Sequence, residues 1–352
     1  MNTMIAMQID APGGTLRRIE RQLRHPLPDE LLIEVSACGV CRTDLHVLAG
    51  EIPARYPIIP GHEIVGHVRE IGASVEGFVP GQRVGVPWLG HTCGQCAYCR
   101  SGRENLCDSP GFTGATRDGG YATHVFADAR YCFALPLGLS DVEAAPLLCA
   151  GLIGWRALRL AGVGQRIGLY GFGAAAHILA QVARWQDRDV FAFTKPGDEE
   201  GQAFARSLGC EWAGGSTDRP PALLDAAVIF APAGELVPLA LKAIRKGGKV
   251  VCAGIHMTDI PAFPYADLWV ERQILSVANL TREDGASFFK MVERSRLHTV
   301  TRTYPLEAAD AALSDLREGK LAGAAVLVPS TAKPDYALPK LILGRKGRNP
   351  PA

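Results

Sequence analysis

The chain has almost no excess of charge of either sign: 37 Lys and Arg stand against 36 Asp and Glu in 352 residues, a formal net charge of +1. That balance gives no electrostatic case for nucleic acid or an anionic lipid surface as partner. Long apolar runs are also missing, and none reaches membrane-spanning length. No N-terminal stretch joins a basic region to an apolar core and a small-residue cleavage site, so a cytoplasmic chain without a membrane partner is expected. What the sequence does have is cysteine, ten in all. In a reducing compartment such a count fits metal ligation better than disulfides.

Four of the ten, Cys93, Cys96, Cys99 and Cys107, fall within fifteen residues in a C-x2-C-x2-C-x7-C array. Four soft charged sulfurs on one short loop satisfy a tetrahedral Zn²⁺ and leave no open coordination position, so this site reads as structural. A catalytic metal would need other ligands, and the segment C41-R-T-D-L-H46 followed by G61-H62-E63, with Cys149 far downstream, supplies candidates. Two thiolates and one imidazole from Cys41, His62 and Cys149 leave a fourth position for water or substrate. Cys38, Cys132, Cys210 and Cys252 remain, and buried small hydrophobes are the expectation for them.

At this length the chain should divide into two domains. The first part reads as short strands separated by Gly and Pro, as in an all-β barrel or sandwich: L-L-I-E-V-S, H-E-I-V-G-H-V-R-E-I-G, Q-R-V-G-V-P and G-Y-A-T-H-V-F-A. From Asp141 to about Leu158 the Ala and Leu content predicts one helix with acidic residues at its start. Strand and helix then alternate. Strands are expected at 166–171, 189–194, 226–231 and 249–254, with helices near 174–186, 200–208 and 236–244, which implies a doubly wound parallel sheet. Beyond Ser276 the pattern is mixed, with helices expected near 286–294 and 307–318. The basic, Pro-containing tail from about residue 330 to 352 receives no function.

The first βα unit carries G171-F-G173-A-A-A176, a dinucleotide fingerprint with alanine in the third small position. Gly171 would allow the tight turn, Gly173 a close backbone approach to pyrophosphate, and Ala176 close helix packing, with phosphate at the helix N-terminus. At the end of the second strand, where Asp or Glu would read the ribose of NAD, the chain has Thr194 followed by Lys195. A lysine there can attract a 2′-phosphate, which favours NADP(H) over NAD(H). The competing reading is a solvated Lys195 with Asp198, Glu199 or Glu200 as acceptor.

Together with P146-L-L-C149-A-G and K246-G-G-K-V-V-C-A-G254, these motifs give residues 1 to 329 a resemblance to the zinc-containing medium-chain alcohol dehydrogenases. The resemblance implies an α/β fold of two parts. A discontinuous GroES-like β-rich catalytic domain would cover 1–150 and 278–352, and a Rossmann coenzyme domain would cover 151–277. It also implies hydride transfer between an alcohol and a nicotinamide ring, two zinc ions per subunit, and homodimers or homotetramers. Matched residue by residue, Cys41, His62 and Cys149 are the catalytic zinc ligands. Glu63 is the neighbouring acid that approaches the metal in ligand exchange, and Asp44 orients His62. Thr43 touches the substrate oxygen, His46 ends a proton relay at solvent, and Arg42 and Gly254 lie along the cofactor. Trp88 resembles a substrate-pocket wall. Ile153 departs from the pattern, standing where many members place a threonine against the nicotinamide.

Duller readings compete with several of these. His46 could be a solvated surface histidine, Trp88 a core residue, and the Cys38/Cys41 pair a redox motif, although no thioredoxin-like context surrounds it. His67, His91, His124, His177, His256 and His298 have no partners at ligand spacing. A polyol or threonine dehydrogenase on the same scaffold, and a zinc-stapled binding protein without catalysis, are the alternatives to a dehydrogenase of primary alcohols.

Overall fold

The computed structural model describes residues 3–330; the tail from 331 onward, expected above to carry no function, lies outside the described residues. Two main sheets organise the chain. A six-stranded sheet runs Trp212–Gly215, Asp189–Thr194, Arg166–Tyr170, Leu224–Ile229, Ile244–Cys252, Gln273–Ser276, with every neighbouring pair parallel. Numbered by their order in the chain, these strands lie 3-2-1-4-5-6, the doubly wound order whose reversal sits between the first and fourth strands. Strands buried on both faces read as continuous apolar runs rather than alternation. In Asp189–Thr194, accordingly, five of six residues are buried.

The second sheet is built on Glu30–Val40, which pairs antiparallel with Glu63–Ile71, with His124–Asp128 and with the late strand Ala324–Val328. Thr301–Pro305 joins beyond the late strand, while Arg83–Val86 and Phe133–Ala134 extend the other side. This sheet therefore draws strands from both ends of the chain, and the parallel sheet occupies the middle. Three hydrophobic clusters follow from that arrangement. One fills the β-rich part and another lies on one face of the parallel sheet. The largest joins the two, packing Ala37 and Val65 with Leu147, Leu148, Leu169 and Val228. Among the described residues no single helix is long and apolar enough to cross a membrane.

The single helix expected from Asp141 is corrected by the structure to a broken one. Asp141–Ala144 is capped by Ser140 and Glu143 in a reciprocal box, Ala145–Leu148 tightens into a 3₁₀ turn carrying Pro146, and Ala150–Ala161 then sets off at 46°. Proline removes a backbone donor and favours such a break. Cys149 sits at the joint with φ −129° and ψ −69°, outside helical geometry. The break thus leaves Cys149 at the joint between the two helical segments.

Helix Arg282–Arg294 begins four residues earlier than the sequence indicated. Thr281 and Asp284 form its cap, and Asp284 also receives Arg156 at 2.5 Å and Arg159 at 2.6 Å from helix Ala150–Ala161. Close packing strengthens the join, since a Cβ on Gly151 would stand 2.7 Å from the ring of Phe288. The short strands Trp212–Gly215 and Gln273–Ser276 were not anticipated. Each has only four residues.

Candidate active site

The helix Arg42–Ala49 follows the central strand Glu30–Val40 with one residue between them, and that residue is Cys41. Asp44, three positions on, turns back to accept the Cys41 backbone N–H at 2.8 Å. The same buried carboxylate faces His62 Nδ1 at 3.1 Å and accepts from the Tyr121 hydroxyl at 3.0 Å. With Nδ1 donating to a carboxylate, the neutral imidazole keeps its lone pair on Nε2. That Nε2 is buried and has no hydrogen-bond partner.

Cys41, His62, Glu63 and Cys149 converge, each offering one ligand atom, with all four atoms within 4.8 Å of one another. The two sulfurs are 3.8 Å apart, and Thr43 Oγ1 lies 3.6 Å from Cys41 Sγ. A hydrogen bond from Cys149 holds the Cys41 thiol well below its ordinary value against the pull of burial, with His62 adding to the effect. Cys149, as donor, is pushed well above it by that bond and by burial. Burial disfavours the His62 imidazolium, but Asp44 and Cys41 outweigh it and raise the pKa. Burial, then the Cys41 charge, raises Glu63. A buried orphan nitrogen beside two thiols and a carboxylate fits a divalent cation of borderline softness, because binding satisfies the nitrogen and deprotonates the sulfurs. Room for Glu63 is made by Gly39, where a Cβ would fall 1.8 Å from Glu63 Oε2.

Trp88 stands edge-on to His62 with ring centroids 5.0 Å apart and stacks on Phe112 at 5.0 Å and 17°. It is half-buried, beside the cluster and packed against the core of the β-rich part. Ile153 is one turn after Cys149 on its helix and is likewise half-buried. Arg42 is exposed at the start of its helix. His46 is held by Glu51, Nδ1 to Oε2 at 2.5 Å, and its ring centroid is 5.5 Å from that of His256.

The second group, Cys93, Cys96, Cys99 and Cys107, also brings all its ligand atoms within 4.8 Å. Backbone N–H groups of Cys93, Cys96, Cys99 and Ser109 point at the sulfurs of Cys107, Cys93, Cys96 and Cys107 at 3.3 to 3.4 Å. Amides aimed at a sulfur favour its charged form. Led by the Cys99 amide, they lower Cys96 to about 6, while burial leaves Cys107 at about 11. The lobe is anchored by Asn105 to the Ala278 carbonyl at 2.8 Å and by Glu104 to the Arg282 amide at 2.9 Å.

The glycine-rich turn lies at the reversal of the parallel sheet. Gly171 has φ +85°, and a Cβ there would meet the Ala231 amide nitrogen at 2.9 Å. Around Gly173 there is open space, and it opens helix Ala174–Trp185 without a side-chain cap, leaving first-turn amides free for an anion. Ala176 is fully buried. Gly154 packs toward Leu179 and the Ala175 carbonyl, so the helix that follows Cys149 lies against the helix that opens at Gly173. Gly254 lies beyond the fifth strand, near the Phe230 carbonyl beyond the fourth. Thr194 differs from expectation: it is buried, with its hydroxyl bonded to the Lys195 and Gly214 carbonyls. Lys195 is exposed, and Asp198 is engaged as the cap of helix Glu199–Ser207, accepting from Gly201.

Of the other cysteines, Cys38, Cys132 and Cys210 are buried, while Cys252 is only half-buried. Sequence reasoning missed Tyr121, Glu51 and Gly39. Tyr121 is remote in sequence and joins Asp44 only through the fold. Glu51, by contrast, lies five residues after His46 just past a glycine, a spacing that could have been noticed.

The fold and the cluster are those of a medium-chain dehydrogenase. Residues 27–137 match the alcohol dehydrogenase GroES-like domain. The chain is 48% identical over 339 residues to a probable alcohol dehydrogenase AdhA of Mycobacterium tuberculosis, covering 93% of this chain and 97% of that one. It is 34% identical over 310 residues to an alcohol dehydrogenase of Geobacillus stearothermophilus, covering 85% and 91%. A cobalt- and zinc-bound thermostable alcohol dehydrogenase from Pyrobaculum aerophilum superposes with a TM-score of 0.84 at 25% identity, over 93% of this chain and 100% of that one. This chain belongs to the zinc-containing medium-chain alcohol dehydrogenase family.

Proposed function

We propose that the protein is a zinc-dependent dehydrogenase that interconverts primary alcohols and aldehydes with NADP(H). The carrying observation is the orphaned Nε2 of His62 facing Cys41, Cys149 and Glu63. Residues 1–150 with 278–352 act as the catalytic part and 151–277 as the coenzyme part, in a homodimer or homotetramer. Cys41, His62 and Cys149 hold the catalytic ion, and the four-cysteine lobe holds a second that staples the loop. Zinc held at the first site would supply Lewis acidity, the chemistry that takes the pKa of water from ~16 toward ~7 in the best-studied case. The nicotinamide cofactor supplies the hydride acceptor.

The chain's own residues do the rest. Asp44 fixes the His62 tautomer that presents a lone pair to the ion, and Glu63 lies close enough to take part in ligand exchange. Thr43, buried in the first turn of its helix and 3.6 Å from Cys41 Sγ, takes up the hydroxyl proton of the alcohol while giving up its own hydroxyl proton to the path toward His46. His46 is three residues on along the same helix face and half-exposed, and it passes the proton to solvent. Arg42, Gly171, Gly173, Ala176, Thr194, Lys195 and Gly254 line the cofactor, Thr194 through its backbone since its hydroxyl is turned inward. Trp88 and Ile153 give the pocket apolar walls, which favour aliphatic or aromatic primary alcohols over polyols.

The preference for a 2′-phosphate rests on exposed Lys195 and on Asp198 being occupied as a helix cap. Turnover of aliphatic, benzylic and polyol substrates with both cofactors tests the reading. Primary alcohols with NADP should give the highest kcat/KM. A tenfold preference for NAD would remove the NADP assignment, and absence of turnover on every alcohol and aldehyde would remove the enzyme.

A further inference from the structure

Helix Arg42–Ala49 ends at Gly50, whose left-handed backbone (φ +76°) lets the Glu51 amide donate to the His46 carbonyl at 2.9 Å. A Cβ on Gly50 would lie 2.7 Å from the Pro12 side chain, so the turn is sterically committed to glycine. Closing the helix in this way folds residue 51 back over residue 46, and the Glu51 carboxylate meets His46 Nδ1 at 2.5 Å. From the opposite sheet, the segment after strand Ile244–Cys252 brings in the exposed His256, its ring centroid 5.5 Å from that of His46 and tilted by 44°. The His46 and His256 charges both help to hold the Glu51 carboxyl low, the His46 hydrogen bond being the leading cause.

We propose that Glu51, His46 and His256 form one unit at the solvent end of the proton path, with Glu51 the positioning residue and His256 the exit. The inference rests on the dehydrogenase reading above. A carboxylate only accepts hydrogen bonds, so Glu51 fixes the proton of neutral His46 on Nδ1 and leaves Nε2 free to take the proton coming from the substrate hydroxyl. On receiving it the imidazole becomes a cation, which the adjacent carboxylate stabilises. His46 then releases the proton, directly or across one shared water, to His256 and so to bulk solvent. His256 comes from the coenzyme side, so the exit is complete only when both sheets contribute. No redox change occurs in this cluster. One proton enters at His46 and one leaves at His256.

The test compares wild type, E51A, E51Q and H256A as zinc-loaded holoenzymes, measuring kcat, KM for alcohol, and rescue of kcat by added imidazole. Glu51 is exposed, so its variants should fold. Loss of general-base efficiency predicts that kcat of E51A falls about tenfold with KM within about twofold, and that imidazole restores at least half of the loss. E51Q keeps an acceptor and should stay within about threefold of wild type, and H256A should lose about threefold with the same rescue. E51A at wild-type kcat, or an E51A defect that imidazole leaves unchanged, overturns the role of Glu51. H256A at wild-type kcat overturns the exit through His256. Wild-type turnover accompanied by either result refutes this inference alone. A wild type that turns over no alcohol or aldehyde refutes the dehydrogenase reading and this inference with it.

Discussion

Replacing Asp44 with asparagine should weaken metal binding without emptying the fold. The Asp44 carboxylate is fully buried and serves three donors. One oxygen takes Cys41 N–H and the Tyr121 hydroxyl, and the other faces His62 Nδ1. An asparagine can keep the first two bonds by placing its carbonyl oxygen where they meet, but its amide nitrogen then faces Nδ1. Two donors cannot share that bond, so the imidazole must move its proton to Nε2, the nitrogen aimed at Cys41 and Cys149. The opposite rotamer spoils two bonds instead of one. Metal binding must then reverse the tautomer against the asparagine. Loss of a carboxylate behind a ligating histidine lowers metal affinity about 10- to 100-fold, or ~1.4–2.8 kcal/mol. D44A strands all three buried donors at ~1–3 kcal/mol each, so it should cost about 3 kcal/mol or more in stability of the metal-free chain. Competition against a chelator of known affinity reads the first effect and denaturant unfolding the second. D44N binding the catalytic ion within twofold of wild type would refute the tautomer argument.

The glycine-rich turn predicts a split between neighbours. G171A forces a side chain into positive φ and against Ala231, costing about 1–3 kcal/mol by denaturant unfolding. G173A meets open space, so its stability should stay close to wild type while KM for the cofactor rises; the reverse pattern would displace the phosphate site from this turn. D284N should lower stability at neutral pH by about 2 kcal/mol, because a buried carboxylate loses its charge opposite Arg156 and Arg159. Burial raises the Asp284 carboxyl, but the Thr281 amide and hydroxyl and Arg156 outweigh it and hold it below the usual range. A depressed folded-state pKa gives stability that is complete above the unfolded value of about 4 and lost as pH falls through the lower folded one. The wild type's advantage over D284N should therefore shrink in acid, and an advantage that grows on acidification would contradict the ion-pair account.

The large features were legible because each is local. The four-cysteine lobe was marked by its spacing, the fingerprint by its place between strand and helix, and the parallel sheet by its apolar runs, whereas Cys149, 108 positions beyond Cys41, was tied to its group by residue type and family resemblance. What escaped was short or non-local. Trp212–Gly215 and Gln273–Ser276 have four residues each, too few for periodicity to register. The break at Cys149 was hidden because Ala and Leu content dominated a segment in which Pro146 was the only warning. Tyr121 reaches Asp44 across 77 positions, and His256 reaches His46 across two sheets. Position alone makes Thr194 a cofactor contact but does not tell that its hydroxyl turns inward to the Gly214 carbonyl in the next strand, leaving its backbone for that role.

Metal content and turnover measured together on wild type, C41S and C99S examine the central claim most directly. The account predicts two zinc ions per chain in the wild type. C41S should keep one ion, a nearly unchanged fold and no turnover, whereas C99S should lose its lobe ion and chiefly stability. An active wild type with a single ion, or C41S with two ions and undiminished turnover, would contradict it.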